Sequence, residues 1–565
     1  MTEKIFIGVA WPYANGSLHL GQIAGAYLPA DIFARYHRTK GNEVLMVSGA
    51  DQHGTPITIK AEQEGKTPAA IAEHYQQEFL DSWRQLGISF DLFTTTGTAN
   101  HTEVVQDIFL TLHKNGYIYQ DTVSQAYCPQ CQRFLPDRYI NGTCPYCHST
   151  QARGDQCDEC GKPLNPGELI DARCRVCGNS AVFRDSQHFF LRLSDFQDML
   201  AGWVSQQGHW RPNVYGLTQR YLNEGLRDRA ITRDIDWGIP VPVSGFENKR
   251  IYVWFEAVIG YLSASKEWAK RNGDGGEWRS FWEQDQPVKS YYFIGKDNIP
   301  FHTLIWPAML MGYDENLHLP YDVPANEFLT IEGRKLSTSQ NWAVWLPDYL
   351  SRYDPDPLRY LLSINMPETS DTNFSWREFI RRNNDELVAT YGNLVNRVLT
   401  FVYKNFDGCV PTYEEMGVTD VARFKREPLP LEHDAATTLL NLTDDELARC
   451  HFKAALMHAM DLAHKANRFL EETSPWKTIK EDRQAAARAL YAALNVIAQL
   501  KTMLYPFLPF SSQKVHEYLG FTGSIEKAGW KWQELPPGQR LQKPQPLFTK
   551  LDESLIEEET RRLGT

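Results

Sequence analysis

Residues Lys4 to Ala10 form a short apolar, β-branched run of the kind that fills a buried strand. A loop, W-P-Y-A-N-G-S, follows. Apolar positions then recur three and four apart from about Leu18 to Arg38, which predicts an amphipathic helix stopped at Gly41. Glu43 to Val47 predicts a second strand, leading into G-A-D-Q-H-G-T-P. Thr67 and Pro68 have the residue types of an N-cap and a first helical position, and Gly87 stands just past the end of that helix. Strand, helix, strand, helix at this spacing is the pattern of a parallel α/β sheet.

From about Gly116 to Arg211 the pattern breaks into short pieces rich in Cys, Gly and Pro. Strand signals return near Arg250 as R-I-Y-V-W-F-E, then S-Y-Y-F-I-G-K-D, then N-E-F-L-T-I. The sheet is therefore split, with the cysteine-rich segment inserted into it. Beyond about Trp376 apolar residues again fall three and four apart, over Trp376–Tyr403, Asp434–Glu472 and Asp482–Tyr505, which predicts a helical bundle.

A chain of 565 residues is too long for one compact domain; at roughly 100–200 residues each, three to five units are expected. Hydrophobic content of 42% with 23% charged residues excludes disordered and collagen-like classes. No apolar run approaches the roughly 18 residues a bilayer span needs. The start MTEKIFIGVAWPY lacks the charged head and long apolar stretch of a secretory signal, so no membrane role and a cytoplasmic location are the expectation. The net charge of −12 argues against a wholly basic nucleic-acid coat, but it does not bear on a local basic face.

Ten cysteines are present, and all but Cys409 and Cys450 fall into four C-x-x-C pairs: Cys128/Cys131, Cys144/Cys147, Cys157/Cys160 and Cys174/Cys177. Without an export signal, such clusters point to metal rather than disulfides. Zinc takes four thiolates in a tetrahedron, so four pairs close two sites, each structural because no coordination position stays open. Pro129, Pro145, Gly161 and Gly178 supply the tight turns. Spacing leaves the pairing open between neighbouring pairs and a nested arrangement.

His19-Leu20-Gly21-Gln22 sits where a strand hands over to a helix, whose free N–H groups and positive dipole end suit phosphate. Gly21 would let an adenine or ribose approach the backbone, and His19 could place a donor on a phosphate oxygen. Far downstream, Lys335-Leu336-Ser337-Thr338-Ser339 is a candidate triphosphate clamp.

These residues resemble class I aminoacyl-tRNA synthetases, specifically the methionyl-tRNA synthetases. The matches are A-W-P-Y-A-N-G-S-L-H-L-G at 10–21, G-A-D-Q-H-G-T-P at 49–56, V-W-F-E-A-V-I-G-Y at 253–261, F-I-G-K-D at 293–297, F-H-T-L-I-W-P-A-M-L at 301–310, Y-G-N-L-V-N-R at 391–397 and A-N-R-F-L-E-E-T-S-P-W at 466–476. The resemblance implies a Rossmann-like parallel α/β sheet split by a zinc-binding insertion and followed by an all-α helical bundle. The expected division is 1–115 (first catalytic half), 116–230 (insertion with knuckles), 231–325 (second catalytic half), 326–385 (stem-contact region with the KLSTS loop), 386–545 (anticodon-binding bundle) and 546–565 (tail).

The implied activity is ATP-dependent ligation of L-methionine to tRNA(Met) through methionyl-adenylate. His19 and Lys335 would stabilise charge. Tyr13, Asn15, His19, Gly21, Gln22, Lys335, Leu336, Ser337 and Thr338 would bind ATP with its Mg2+. Asp51 would anchor the methionine ammonium, with Trp11, Tyr13, Trp254, Ala257, Tyr261 and His302 around the side chain and Tyr261 or His302 donating to the sulfur. Asn393, Arg397, Pro475 and Trp476 would read the CAU anticodon, while the acceptor stem reaches the catalytic half. Arg377, Arg381, Arg382 and Lys404 could meet phosphates or form a solvated face. By analogy with two-knuckle relatives, Cys144, Cys147, Cys157 and Cys160 form one zinc site, nested inside an outer site of Cys128, Cys131, Cys174 and Cys177. With no further module recognised after the bundle, a monomer is expected.

The chain departs from the family pattern at three positions. Gln22 stands where the first signature usually ends in His, Thr338 where the second usually has another lysine, and Val258 where a proline is common. Lys335 and Arg334 are left to supply the missing charge.

Overall fold

The computed structural model of the chain describes residues 2–154, 157, 159–160, 162, 164, 166–424 and 436–564. Five parallel strands lie in the order Ala325–Asn326, Val288–Gly295, Lys4–Val9, Glu43–Ala50, Leu92–Thr95. The chain builds outward from Lys4–Val9 in one direction, then returns to its other edge. That reversal lies between Lys4–Val9 and Val288–Gly295, and in such sheets ligands bind beyond the carboxyl ends of the strands at the reversal.

The first strand and the caps follow the sequence pattern. Thr67 accepts from the Ala70 N–H, and Gly87 closes the helix Pro68–Leu86 at φ 77°. The helix predicted from Leu18 begins instead at Leu20, with His19 as its cap, and widens into a π-helical stretch at Ile23–Tyr27 before Leu28–Thr39. Two more π stretches occur at Phe301–Ile305 and Asn383–Gly392.

Along the chain between Leu92–Thr95 and Val288–Gly295, Ile118–Cys128 and Val182–Leu191 pair antiparallel as a long stalk. Beyond the stalk, Ile140–Thr143 pairs with Ala152–Arg153 and Ile170–Cys174 in a small sheet. The strand expected in R-I-Y-V-W-F-E is corrected: only Arg250–Ile251 is extended, and a 20-residue helix starts at Val253. That helix is buried on nearly every side, so its first turn is apolar without amphipathic spacing and reads like a strand. N-E-F-L-T-I divides as well, its Asn326 ending the central sheet and its Leu329–Ile331 opening another. Leu329–Ile331 folds onto Arg334–Lys335 through Glu332 and Gly333 (φ 49° and 74°) and runs parallel to Thr372–Phe374.

The C-terminal part is helical: Trp376–Arg382, Asn393–Asn405, Thr437–Ala448, Phe452–Thr473 and Arg483–Leu504. The helix expected to start at Asp434 has that start outside the described residues, and it is interrupted at Cys450, where φ is 59°. A buried ion cluster ties the parts together. Asp31 takes Arg35 at 2.9 Å and Arg359 at 2.7 Å, and Arg359 also donates to the carbonyls of Leu86, Pro506 and Phe507.

Candidate active site

At the sheet's reversal a cavity of about 90 Å³ opens, lined by Trp11, Tyr13, Asp51, Trp254, Ala257, Tyr261 and His302. All seven residues expected around methionine thus share one wall system, joined by Ala10, Val258, Asn298 and Phe301. The loop after the first strand is laid onto the end of the second by main-chain bonds, Asp51 N–H to Pro12 (2.8 Å) and Ala14 N–H to Asp51 (2.9 Å). Trp254 Nε1–H donates to the Tyr13 hydroxyl at 2.7 Å, closing the rim.

Trp11 lies between two glycines. A Cβ on Gly49 would sit 2.4 Å from the indole, and one on Gly260 2.6 Å from it. Gly8 gives Tyr261 the same room, since a Cβ there would be 2.8 Å from the phenol ring. His302 lies in the π stretch, whose wider turn aims its ring inward. Its Nδ1–H donates to the Asn298 carbonyl at 2.9 Å, leaving Nε2 to accept from the Tyr261 hydroxyl at 2.8 Å. Burial pushes His302 down to about 4, so the ring is neutral at pH 7. Both donors are therefore engaged within the pocket wall, Tyr261 on His302 and His302 on Asn298.

Asp51 is 3% exposed, and burial together with the Glu256 charge holds its carboxyl well above the usual range. His53 donates a backbone N–H to it at 3.2 Å and holds both Glu256 oxygens with Nδ1 at 3.0 and 3.1 Å. His101 stands 3.9 Å from the same carboxylate. This second row escaped sequence reasoning. Glu256 lies inside a recognised motif, but His101 sits on a distant helix with no motif to flag it.

The two signature segments meet. Leu20 N–H donates to the Val344 carbonyl and Leu346 N–H to that of Leu18, at 3.1 and 2.7 Å, and Gly21 lies against Leu336. Asn15 stands in the turn between the strand and His19. Ser337 and Trp342 close the downstream loop by reciprocal main-chain bonds of 3.0 and 2.9 Å, with Thr338 exposed inside it. Lys335 is exposed, and its charge reaches Asp297. Arg334 stacks on Trp342 at 3.9 Å, so its charge is held against that indole.

The cysteines gather into two groups, Cys144, Cys147, Cys157, Cys160 and Cys128, Cys131, Cys174, Cys177, which is the nested arrangement. A tetrahedron of Zn–S bonds near 2.3 Å puts sulfurs about 3.8 Å apart. The Cys128–Cys177, Cys131–Cys174, Cys144–Cys160 and Cys147–Cys157 sulfurs are 3.5, 3.8, 3.9 and 3.6 Å apart, so the donor sets fit zinc. Gln132, His148 and Gly178, each just after a knuckle, turn the chain at positive φ.

In the bundle Arg397 stacks over Trp476 at 4.1 Å, and Asn393 lies one turn before Arg397 on the same helix. Pro475 is buried as the first residue of the turn carrying Trp476. Arg381 and Arg382 pair with Glu378 at 2.7 Å each, and Arg382 also with Glu386 at 3.1 Å. Arg377 and Lys404 make no ion pair among the described residues. Among those residues no helix is long and apolar enough to cross a membrane.

Comparison with known proteins gives a consistent set of relatives. Residues 5–399 match the family model of class I tRNA synthetases (M), and residues 431–565 match the anticodon binding domain of methionyl tRNA ligase. The chain is 60% identical over 564 residues to the methionine–tRNA ligase of Dehalococcoides mccartyi, covering 100% of both. It is 52% identical over 589 residues to that of Thermomicrobium roseum, covering 100% of this chain and 99% of the relative. A Mycobacterium tuberculosis methionyl-tRNA synthetase in complex with methionyl-adenylate shares the fold, with TM-score 0.75 and 24% identity over 97% of this chain and 100% of that one.

Proposed function

The chain belongs to the class I methionyl-tRNA synthetases and is a methionine–tRNA ligase acting through methionyl-adenylate, and on that premise we propose how its residues share the work. Methionine occupies the cavity with its ammonium on Asp51, where the substrate cation favours the ionised carboxylate that burial and the neighbouring Glu256 disfavour. The side chain lies among Trp11, Tyr13, Trp254, Ala257, Tyr261 and His302. Its thioether meets ring faces and edges, worth about 0.3–1.5 kcal/mol per contact.

The methionine carboxylate attacks the α-phosphate of ATP and pyrophosphate leaves; the terminal ribose hydroxyl of tRNA(Met) then attacks the adenylate and AMP leaves. Neither step needs a protein nucleophile, so catalysis is positioning and charge stabilisation. Tyr13, Asn15 and Gly21 border the nucleotide, and His19 and Lys335 face the phosphates, with Leu336, Ser337 and Thr338 shaping the loop. Mg2+ enters with ATP and neutralises phosphate charge. Asn393, Arg397, Pro475 and Trp476 read CAU, with one base stacking at the Trp476–Arg397 pair. The domain division follows the same reading. Two structural zinc ions per chain, a cytoplasmic location and a monomeric state complete it, and a dimer in sedimentation at micromolar concentration would overturn the last.

The observation that carries the proposal is the cavity at the sheet's reversal, with an aromatic wall and one buried carboxylate beside the joined signature loops. Amino-acid-dependent ATP–pyrophosphate exchange across all twenty amino acids tests it. Exchange with methionine alone is expected, and exchange with another amino acid, or with none, overturns it.

A further inference from the structure

Gln22 occupies the signature position that relatives fill with an imidazole, and its bonds point back along the chain. The His19 backbone N–H donates to the Gln22 side-chain oxygen at 3.0 Å, and the Gln22 backbone N–H donates to His19 Nδ1 at 3.3 Å. The two residues form a reciprocal capping box at the start of the helix. A backbone N–H can only donate, so Nδ1 carries the lone pair and the ring proton sits on Nε2.

The surroundings hold that ring in place. A Cβ on Gly21 would lie 3.2 Å from both His19 Nδ1 and Leu336 Cδ1, so the glycine is what lets the imidazole fold back over the cap. Trp345 borders the ring edge-on, with centroids 6.1 Å apart. The main chain on either side of His19 is bonded to Val344 and Leu346. Burial keeps the ring neutral at pH 7, with its value down at about 4.

We infer that Gln22 is a positioning residue that acts through His19: its side-chain oxygen holds the His19 main chain in the cap, so that the Gln22 backbone N–H can keep the imidazole a neutral Nε2–H donor, and the side chain does not itself contact the nucleotide. The inference rests on the assignment of His19 to the phosphates. It explains how the chain works without a second histidine in the signature. The Gln22 amide oxygen takes the backbone N–H of the cap, and its missing charge is not needed there.

A double-mutant cycle in methionine-dependent ATP–pyrophosphate exchange separates the possibilities. Gln22→Met keeps the length of the side chain but removes the oxygen. It is expected to lower kcat about tenfold while KM for ATP stays within about twofold. In a His19→Ala background the same substitution should change nothing further. A rise in KM for ATP, or a full additional loss in the His19→Ala background, places Gln22 on the nucleotide and overturns the inference. If His19→Ala alone leaves exchange undiminished, the assignment of His19 falls and the inference falls with it. Gln22→Leu repeats the cycle should Gln22→Met fold poorly.

Discussion

The cavity proposed for methionine and the Lys335 hairpin proposed for the phosphates stand under opposite physical conditions. Tyr261 and His302 are 2% and 4% exposed, their donors are committed to one another and to Asn298, and three glycines hold the aromatic walls in contact. Lys335 and Arg334 stand in solvent on a two-residue strand, joined to the rest by a few main-chain bonds. In the proposed mechanism selectivity is a matter of fixed shape, while the phosphate charge is met by a group that stays hydrated until the nucleotide arrives. A buried lysine would lose its charge to desolvation, and an exposed methionine pocket would lose its shape.

The largest expected effect comes from Lys335→Ala. Exchange should lose roughly 10²–10³-fold in kcat, with KM for methionine within about twofold. If methionine KM rose in step, the division between shape and charge would fail. Gly260→Ala attacks the other side. Its Cβ, 2.6 Å from the Trp11 ring, must push the indole into the cavity, an overpacking cost of about 1–3 kcal/mol. Methionine kcat/KM should fall about 10–100-fold, mainly through KM, and Trp11→Phe should recover part of the loss. Steady-state kinetics of the three variants decide it.

Trp476→Ala extends the comparison to a half-buried ring in the bundle. Loss of one stacked base, about 1–3 kcal/mol, should weaken tRNA charging and leave exchange intact. Equal loss in both assays would remove the anticodon role. The smallest effect concerns acid. His101 and His302 are held down to about 3 and 4 by burial, against an ordinary value of 6.5. The unfolded chain therefore takes up their protons first, and stability falls as pH drops below about 6.5. Each ring should remove about 1 kcal/mol between pH 6.5 and 5.5, read as a falling urea midpoint. A flat midpoint across that range would show that the pocket side tolerates charge as the hairpin does.

Much of this was legible in the residues. Lys4–Val9, the Thr67 cap and the Gly87 stop follow from local chemistry, and the candidate methionine residues stand in motifs that the folded chain brings to one cavity. The rest depends on contacts no local pattern carries. The helix from Val253 hides in an apolar run because it is buried all round. The π stretches at Ile23, Phe301 and Asn383 shift side-chain direction without a composition signal, and each adjoins a candidate site. The engaged donors of Tyr261 and His302, and the Glu256 pair behind Asp51, exist only once distant segments meet.

The split sheet also sets a timetable for the newborn chain. Lys4 pairs with Glu43 early, but its other neighbour, Val288, lies about 280 positions downstream. At roughly 5–20 residues per second, a ribosome needs on the order of 15–60 s to deliver that strand. Throughout that interval the central strand of the nascent protein has one bare edge, which makes it a natural binding point for co-translational chaperones.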